Sequence, residues 1–306
     1  MRALKVVLFG ASGHLGQWVD RALTARSEDI AVVRVGRGAA LAPDRVRYDL
    51  VTGDPAGLDG LLESVAPDVV VNCAGRLDGT AAELVAANVT AVARLLDAMP
   101  SAAPGARLVT VGSAAEYGVV PEGHPVTEDA PERPVSPYGA TKLAGTALVR
   151  AAVAAGRLEG VVLRVFNPIG PGTSTGTVLG RAAAALRAAA ATGERVVRLG
   201  PLDAHRDFVD VRDVADAVAG AALAPAPVDP VLNVGLGTAV LVREAVELLV
   251  ETSGFSGRVA ESGGASARSG TVGWIAADPT RTRRVLGWSP RHDLASSVRD
   301  VWAWST

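Results

Sequence analysis

The sequence predicts an α/β protein with a doubly wound, mostly parallel sheet and a smaller mixed lobe toward the carboxyl end. Three observations predict this class. Short apolar runs alternate with segments of helical periodicity through the first half of the chain. The first apolar run ends in a glycine-rich turn that opens the first helix. The chain has 306 residues, 49% of them hydrophobic, which is enough to bury a large core.

The first half is predicted to form repeated strand–helix units, because short apolar runs suit strands that are buried on both faces. Strands are predicted at 4–10, 30–35, 45–50, 68–72, 107–112 and 160–165. Helices are predicted at 14–26, 57–65, 81–99 and 137–155. Crossovers between parallel strands are right-handed, so such units wind helices onto both faces of one sheet.

The pattern changes after Asn167. Residues 168–180 are rich in Gly, Pro and Thr, which predicts a loop that leaves the sheet, and residues 253–269 are predicted as a mobile Gly/Ser-rich loop. The remaining predicted elements are helices at 178–192, 242–253, 281–286 and 294–304 and strands at 195–199 and 231–234.

Composition excludes several classes of protein. A net charge of -2 implies no strongly basic face, so nucleic acid is not an expected partner. The single cysteine, Cys73, rules out a disulfide framework and a cysteine-based zinc site, and the four histidines lie far apart with no metal-ligand spacing. No run of 18 apolar residues is present, and the first apolar run reaches Gly10 too early for a signal peptide, so none is expected. We expect a cytoplasmic protein with no membrane partner and no bound metal.

The glycine-rich turn predicts a dinucleotide site. The sequence G-x-x-G-x-x-G follows a strand and opens a helix, whose free N–H groups and positive dipole end suit a pyrophosphate. A plain tight turn is the alternative interpretation. The residues expected to contact the cofactor here are Gly10, Ser12, Gly13, His14, Leu15 and Gly16.

The second predicted strand ends without an acidic residue that could bind the adenosine ribose. Gly36-Arg37 stands there instead, and a guanidinium suits a 2′-phosphate, which favours NADP(H). If Arg37 only stacks on adenine, NAD(H) remains possible. Asp49, followed by Leu50, either accepts a hydrogen bond from the adenine amine or caps the following turn.

A tyrosine and a lysine are spaced for acid–base chemistry. Tyr138 and Lys142 stand at i and i+4, on one helix face, after Ser136-Pro137. A phenol has a pKa of about 10, and a nearby ammonium lowers it. Of the 30 lysine and arginine residues only Lys5 and Lys142 are lysines, which suggests that Lys142 is kept for its chemistry. Ser113 follows another predicted strand end. The alternative interpretation is that Tyr138 and Lys142 are a surface pair with no catalytic role.

Together these motifs resemble the extended short-chain dehydrogenase/reductases, in the NAD(P)-dependent nucleotide-sugar epimerase/dehydratase/reductase group. The resemblance covers essentially the whole chain. It also includes segments 72–75, 163–171, 206–214, 233–235 and 286–290 and Asn88. It implies further cofactor contacts from Cys73, Ala74, Gly75, Asn88, Tyr138, Lys142, Phe166 and Pro168, and substrate contacts from Ser113, Asn167 and Arg206.

The resemblance further implies residue roles and a domain division. In that group Tyr138 would donate or accept the proton, and Lys142 would adjust the acidity of Tyr138 and bind the ribose. Ser113 would position the substrate oxygen, and Arg206 would bind the diphosphate. Residues 1–167, joined again by 205–236, form the NAD(P)-binding Rossmann domain, and residues 168–204 and 237–306 form the substrate lobe. Helices 81–99 and 137–155 are expected to pair in a homodimer.

Three reactions of the group compete. A 4,6-dehydratase usually carries an Asp-Glu pair after the Ser/Thr, but Ala114 and Ala115 stand here. Arg37 favours a reductase, since NADPH supplies reducing power, and segments 112–118 and 199–208 look most like 4-keto-6-deoxy-hexose reductases of the GDP-mannose type. We therefore expect NADPH-dependent reduction of a nucleotide-diphosphate 4-keto sugar. The alternatives are an NAD-dependent 4-epimerase and a non-catalytic NADP-binding protein.

Overall fold

The computed structural model describes residues 3–38, 42, 44–225, 228–262 and 271–304. Within them the strands are β1 Leu4–Phe9, β2 Ile30–Gly36, β3 Arg45–Arg47, β4 Val69–Asn72, β5 Arg107–Ser113, β6 Glu159–Val165, β7 Asn167–Ile169, β8 Val196–Leu199, β9 His205–Arg206, β10 Phe208–Asp210, β11 Val231–Val234, β12 Val240–Leu241, β13 Arg258–Glu261 and β14 Trp274–Ile275. The α-helices are α1 His14–Thr24, α2 Pro55–Val65, α3 Ala81–Val85, α4 Ala91–Ala102, α5 Pro137–Ala154, α6 Val178–Thr192, α7 Val211–Leu223, α8 Val242–Ser253, α9 Thr280–Leu286 and α10 Leu294–Ala303. A π-helical turn, Ala86–Thr90, joins α3 to α4, and a 3-10 turn, Ala114–Glu116, follows β5.

The central sheet has seven parallel strands in the order β11-β6-β5-β4-β1-β2-β3. The order reverses at β1, where Val6 lies opposite Val32 of β2 on one side and Val69 of β4 on the other. This topology confirms the predicted doubly wound sheet of the Rossmann type. In such sheets ligands bind beyond the carboxyl ends of the strands, at the reversal point.

Helices cover both faces of this sheet and bury an apolar core on each. On one face Val19 of α1 and Val218 of α7 are fully buried. On the other, Leu62 of α2, Leu95 of α4 and Val149 of α5 are fully buried. Burying one such side chain stabilises the fold by about 1.5–3 kcal/mol. The sheet is therefore a rigid platform for groups at its strand ends.

A separate core lies under α6, α8 and α10. Leu186, Leu249 and Val298 are at its centre. Buried carboxylates fasten this part of the chain to α7. Ser297 Oγ donates to Asp210 Oδ2 at 2.6 Å, and the His292 N–H donates to Asp213 Oδ2 at 3.0 Å. The helix that covers the central sheet thus also holds the carboxyl-terminal segment.

The structure corrects two predicted loops. The predicted loop 168–180 begins inside β7, which pairs in parallel with β10 so that Asn167 faces Phe208. The predicted loop 253–269 contains β13, paired with β8, and its part from residue 263 onward lies outside the described residues. Neither segment is a continuous apolar run, since β7 is Asn-Pro-Ile and β13 is Arg-Val-Ala-Glu, so neither shows the pattern that predicted β4.

Two helices also differ from the prediction. The single helix predicted over 81–99 is interrupted by the π-helical turn and continues to Ala102. Helix α7 was not predicted at all. Most of its residues are buried, as at Val214, Ala217 and Ala221, and the half-buried Arg212 and Asp216 lie on one face of the helix. Within the described ranges, no helix is long and apolar enough to cross a membrane.

Candidate active site

The glycine turn between β1 and α1 lies at the reversal point of the sheet. Gly10 has a φ of +77°, and a Cβ there would lie 2.6 Å from the backbone nitrogen of Ala74. A Cβ on Gly16 would lie 2.1 Å from the carbonyl oxygen of Gly10. Gly13 is the N-cap of α1 and contributes no side-chain cap. The helix therefore presents its first N–H groups and positive dipole end at a tightly closed turn, which suits a phosphate group.

His14 and Ser12 connect this turn to its surroundings. His14 Nε2 lies 2.9 Å from the carbonyl oxygen of Pro171, so that nitrogen carries the proton, and burial lowers the pKa of the ring. Ser12 is exposed, and a Cβ on Gly36 would lie 3.7 Å from its Oγ. Leu15 packs against the core beneath α1. The turn is thus tied to the segment after β7 and reaches the end of β2.

The three residues predicted to bind the adenosine end of the cofactor differ in how exposed they are. Arg37 is exposed directly after β2. Asp49 Oδ1 accepts from the Val51 N–H at 2.8 Å, so Asp49 caps its turn, which was one of its two interpretations. Leu50 is buried in the core. The cofactor contacts of all three remain predictions.

The segment after β4 approaches the glycine turn closely. The Cys73 N–H donates to the Phe9 carbonyl at 3.0 Å, and the Ala74 N–H donates to Asn72 Oδ1 at 3.0 Å. Burial raises the pKa of the Cys73 thiol to about 12, so the thiol stays protonated near neutral pH. Gly75 comes next and is exposed. This segment forms one wall beside the turn.

Asn88 braces that wall from the π-helical turn. Its side chain is 3% exposed, and Nδ2 donates to the Arg76 carbonyl at 3.0 Å and to Thr141 Oγ1 at 3.1 Å. Its Oδ1 accepts from the Arg76 N–H at 2.9 Å. Thr141 lies between Tyr138 and Lys142 on α5. The structure therefore gives Asn88 bonds within the protein, and its predicted contact with cofactor is untested.

Ser113, Tyr138 and Lys142 lie on elements that meet at the carboxyl end of β5. Lys142 Nζ donates to the carbonyl of Val111, two residues before Ser113. Burial lowers the pKa of Lys142, opposed by the negative charge of Glu116. Lys142 therefore lies against β5, and Gly139, next to Tyr138, lies against the Ala115 carbonyl in the turn after Ser113.

The turn after β5 fixes Ser113. Its Oγ accepts from the Ala115 N–H at 3.2 Å, and its own N–H donates to Glu116 Oε1 at 2.8 Å. Glu116 is fully buried and pairs with Arg164 Nε at 2.7 Å. Since Ala114 and Ala115 carry no ionisable group, the turn holds no acid pair for eliminating water.

The predicted substrate residues lie beyond β6. The Asn167 N–H and its Nδ2 both donate to the Asp207 carbonyl at 3.0 Å. Arg206 precedes that residue, is 8% exposed, and donates from Nη1 to the His205 carbonyl. Phe166 is buried with its ring 6.4 Å from that of Tyr117, and Pro168 is half-buried in β7. Asn167 and Arg206 are therefore neighbours, because Asn167 bonds the backbone carbonyl of Asp207, the residue directly after Arg206.

Sequence reasoning missed Gly139, Thr141, Glu116 and Arg164. Gly139 and Thr141 lie inside the Y-x-x-x-K spacing, whose end residues Tyr138 and Lys142 carry the predicted acid–base chemistry. Glycine and threonine are weak helix formers, so their presence in the first turns of a predicted helix was the signal that could have identified these two residues. The Glu116–Arg164 pair spans 48 residues, and only the register of β5 with β6 brings it together.

These features together define a nicotinamide-dinucleotide-binding α/β fold with a Ser/Tyr/Lys set at its strand ends. The glycine turn admits no Cβ at Gly10 or Gly16, and α1 begins without a side-chain cap, so the residues present fit the diphosphate of such a cofactor. Among the described residues no group of three or more His, Cys, Asp or Glu could hold a metal ion.

Comparisons with known proteins indicate the same class of protein. The model of the NAD dependent epimerase/dehydratase family matches residues 6–235. A Kitasatospora kifunensis protein named dTDP-6-deoxy-L-talose 4-dehydrogenase (NAD(P)(+)) is 41% identical, covering 97% of this chain and 94% of its own. A UDP-glucose 4-epimerase from Azospirillum brasilense is 32% identical, covering 98% and 91%. The solved structure of MoeE5 with UDP-glucuronic acid and NAD is 30% identical, with a TM-score of 0.83 and 98% of each chain covered.

The chain belongs to the NAD dependent epimerase/dehydratase family. The resemblance to extended short-chain dehydrogenase/reductases of the nucleotide-sugar group is confirmed. At the level of the fold, the structure of RMD from Pseudomonas aeruginosa complexed with NADPH is also similar, with a TM-score of 0.82, 24% identity and 98% of each chain covered.

Proposed function

We propose that this chain is an NADPH-dependent reductase that acts on C4 of a nucleotide-diphosphate 4-keto-6-deoxy sugar. The observation that carries the proposal is the position of Lys142. Its buried ammonium, bonded to the Val111 carbonyl, lies two residues of β5 away from Ser113 and one helical turn from Tyr138. A relative 41% identical over nearly its full length is named a dTDP-sugar 4-dehydrogenase, which supports oxidation or reduction at C4.

The residues have distinct tasks in this proposal. When bound, the dinucleotide supplies a hydride to the ketone carbon. Tyr138 gives its phenolic proton to the ketone oxygen as negative charge develops there. The Lys142 ammonium stabilises the phenolate that remains. Ser113, whose Oγ already accepts from Ala115, is left with its hydroxyl proton to donate to the same ketone oxygen.

NADP(H) is the proposed cofactor because of the charge at the end of β2. Arg37 is exposed there, and the sequence has no acidic residue between Gly36 and Asp44. A guanidinium can bind a 2′-phosphate with two hydrogen bonds, whereas ribose hydroxyls are usually bound by an acidic residue.

We further propose that the core under α6, α8 and α10 forms a substrate lobe, made of residues 168–204 and 237–306. Arg206, at the junction, would bind the diphosphate. Burial lowers the pKa of Arg206, and such a desolvated cation binds an oxyanion strongly. The diphosphate then anchors the substrate while the sugar meets Tyr138.

A homodimer is proposed from the faces of α3 and α5. Val85 is 45% exposed and Leu148 is 38% exposed, large values for apolar side chains on neighbouring helices. Two copies joined through these helices would bury both. Sedimentation analysis of Leu148→Glu against the wild type tests this assembly, since a charge in that interface should produce monomers.

The second candidate is an NAD-dependent 4-epimerase, favoured by relatives of that name such as the one from Azospirillum brasilense. An epimerase re-reduces its own intermediate and consumes no external NADPH. Denaturing the purified protein and identifying the released dinucleotide separates the two, because a tightly retained NAD is expected of an epimerase.

The decisive assay follows NADPH absorbance with a panel of nucleotide-diphosphate 4-keto sugars. Wild type should consume NADPH, and Tyr138→Phe should lower kcat by about 10²–10⁴-fold. Tyr48→Phe is the matched control, since the Tyr48 hydroxyl bonds the Asp54 carbonyl and takes no part in the proposal. No NADPH consumption with any keto sugar, or full activity in Tyr138→Phe, rules the proposal out.

A further inference from the structure

Arg164 is the largest fully buried side chain among the described residues. It stands in β6 directly opposite Gly112 of β5. Its guanidinium bonds two carboxylates, Glu116 through Nε at 2.7 Å and Glu132 through Nη2. We call Arg164, Glu116 and Glu132 the Arg164 cluster.

One branch of the Arg164 cluster ends at the backbone of Ser113. Glu116 uses Oε2 for Arg164 and Oε1 for the Ser113 N–H, at 2.8 Å. Gly112 makes room for this carboxylate, because a Cβ there would lie 2.7 Å from Glu116 Oε1. The position of Ser113 is therefore set by a charged acceptor that is itself held by β6.

The other branch leads toward α5. Glu132 precedes Arg133, whose N–H donates to the Tyr117 carbonyl at 3.2 Å. Four residues after Glu132, Ser136 caps α5 by accepting from the Gly139 N–H at 3.1 Å. One guanidinium thus holds both the turn that carries Ser113 and the segment that leads into the Tyr138 helix.

The energetics argue against a purely stabilising role. Burying an ion pair costs desolvation energy that a pair of apolar side chains would not incur. The guanidinium carbon of Arg164 also lies 4.7 Å from the centroid of the Tyr117 ring, and Nη1 has no oxygen or nitrogen acceptor within the described part of the chain. What such a pair provides is a fixed, directional geometry.

We propose that Glu116 and Arg164 are positioning residues for Ser113, acting through the Ser113 backbone N–H rather than by touching substrate. The inference rests on the proposed function. A displacement of a catalytic group by an ångström is enough to lower kcat by about 10²-fold. The positions of Ser113 and of the ketone oxygen it serves then depend on a carboxylate that never meets the substrate.

Two double variants test this with the ion pair removed from both. Glu116→Gln/Arg164→Met keeps an oxygen acceptor for the Ser113 N–H, whereas Glu116→Leu/Arg164→Met removes it. We expect kcat to be about tenfold or more higher in the Gln variant than in the Leu variant, with equal Kd for NADPH. In a Ser113→Ala background this difference should vanish, because the group being positioned is gone.

Amide hydrogen exchange gives a readout that needs no substrate. The Ser113 N–H should exchange slowly in wild type and in the Gln variant and rapidly in the Leu variant. Equal kcat and equal exchange in the two double variants overturn the inference, as does a kcat difference that persists in Ser113→Ala. If wild type reduces no keto sugar, the proposed function fails, while exchange still decides whether Glu116 holds Ser113. Should both double variants unfold, the same comparison is made with Glu116→Gln and Glu116→Leu alone.

Discussion

The carbonyl oxygen of Ala115 lies 2.4 Å from the point where a Cβ on Gly139 would stand. Ala115 belongs to the turn that follows Ser113, and Gly139 is the neighbour of Tyr138 in the first turn of α5. The two elements that carry the proposed serine and tyrosine therefore touch backbone to backbone. Their separation is set by the absence of a side chain.

Gly139→Ala should push α5 away from the turn after β5. We expect a loss of about 1–3 kcal/mol in unfolding free energy and a fall in kcat of about tenfold or more. Gly60→Ala is the control, because Gly60 also lies in a helix but a Cβ there meets nothing within 4 Å, and it should stabilise the protein by about 0.5–1 kcal/mol. Urea unfolding and steady-state kinetics measure both. Wild-type kcat in Gly139→Ala contradicts the assignment.

Lys142→Met should separate stability from activity. The lowered pKa of Lys142 means that the fold resists the charged form. The penalty is fully present below the folded pKa and is relieved as pH rises from that pKa toward the ordinary 10.5. We expect the variant to gain up to about 1 kcal/mol in unfolding free energy at pH 7 and to lose kcat by about 10²-fold or more.

The matched control for that change is Lys5→Met, which alters the other lysine of the chain. Lys5 Nζ bonds the Val65 carbonyl at the far side of β1, so kcat should not change. Thermal and urea unfolding near pH 7 and pH 10 follow stability. Strong destabilisation of Lys142→Met at neutral pH would show that the ammonium bond to Val111 outweighs desolvation.

His14 should make stability depend on pH in the acid range. Its pKa is lowered in the fold, so above about 6.5 both folded and unfolded chains are neutral at this ring. As pH falls below that, the unfolded chain takes up a proton that the fold resists, and unfolding free energy falls by at most about 1.4 kcal/mol per pH unit. His14→Gln, which keeps a donor for Pro171, should flatten this slope between pH 7 and 5. His124→Gln, at an exposed ring, should not.

Asn88 and Thr141 should be energetically coupled. Asn88→Ala removes three hydrogen bonds that join the Arg76 backbone to α5, and we expect it to cost about 2–4 kcal/mol. Thr141→Val should cost less in that background than alone, because its partner is already absent. A four-member cycle of urea unfolding curves checks this. Strict additivity would show that the 3.1 Å bond between them contributes nothing.

Arg37→Ser should change cofactor preference. Loss of a charged hydrogen-bond donor to a 2′-phosphate is worth about 1.5–3 kcal/mol, so Kd for NADPH should rise by about tenfold to a hundredfold while Kd for NADH stays constant. Arg45→Ser, at an exposed residue of β3, is the control. Fluorescence titration with each cofactor measures the effect. An equal change for both cofactors would mean that Arg37 only stacks on adenine.

The elements best predicted from sequence are those with local signals at both ends. Helix α6 has the predicted bounds, since Thr177 caps it by accepting from the Gly180 N–H and Gly193 closes it with a φ of +73°. Central strands such as β4 are short continuous apolar runs, as expected for strands covered on both faces. The glycine turn and the Tyr138–Lys142 spacing are likewise local patterns.

What escaped prediction depends on partners far apart in the chain. The bond from His14 to Pro171 spans 157 residues, and no spacing rule reports it. The bonds of Asn88 to Arg76 and Thr141, 12 and 53 residues away, were likewise not predicted, and its cofactor contact stays a prediction. Contacts between residues so far apart in the chain can be identified only once the fold, and with it the register of the strands, is known.

Strand β11 and helix α7 complete the central sheet and its cover, yet both are encoded after α6 and β8, which belong to the second core. A nascent chain that has emerged only through β6 presents a bare strand edge and an uncovered apolar face where α7 will later pack. At ordinary rates of translation this exposure lasts for seconds. We therefore expect truncations of the gene that stop before Val231 to yield aggregates instead of a smaller folded protein.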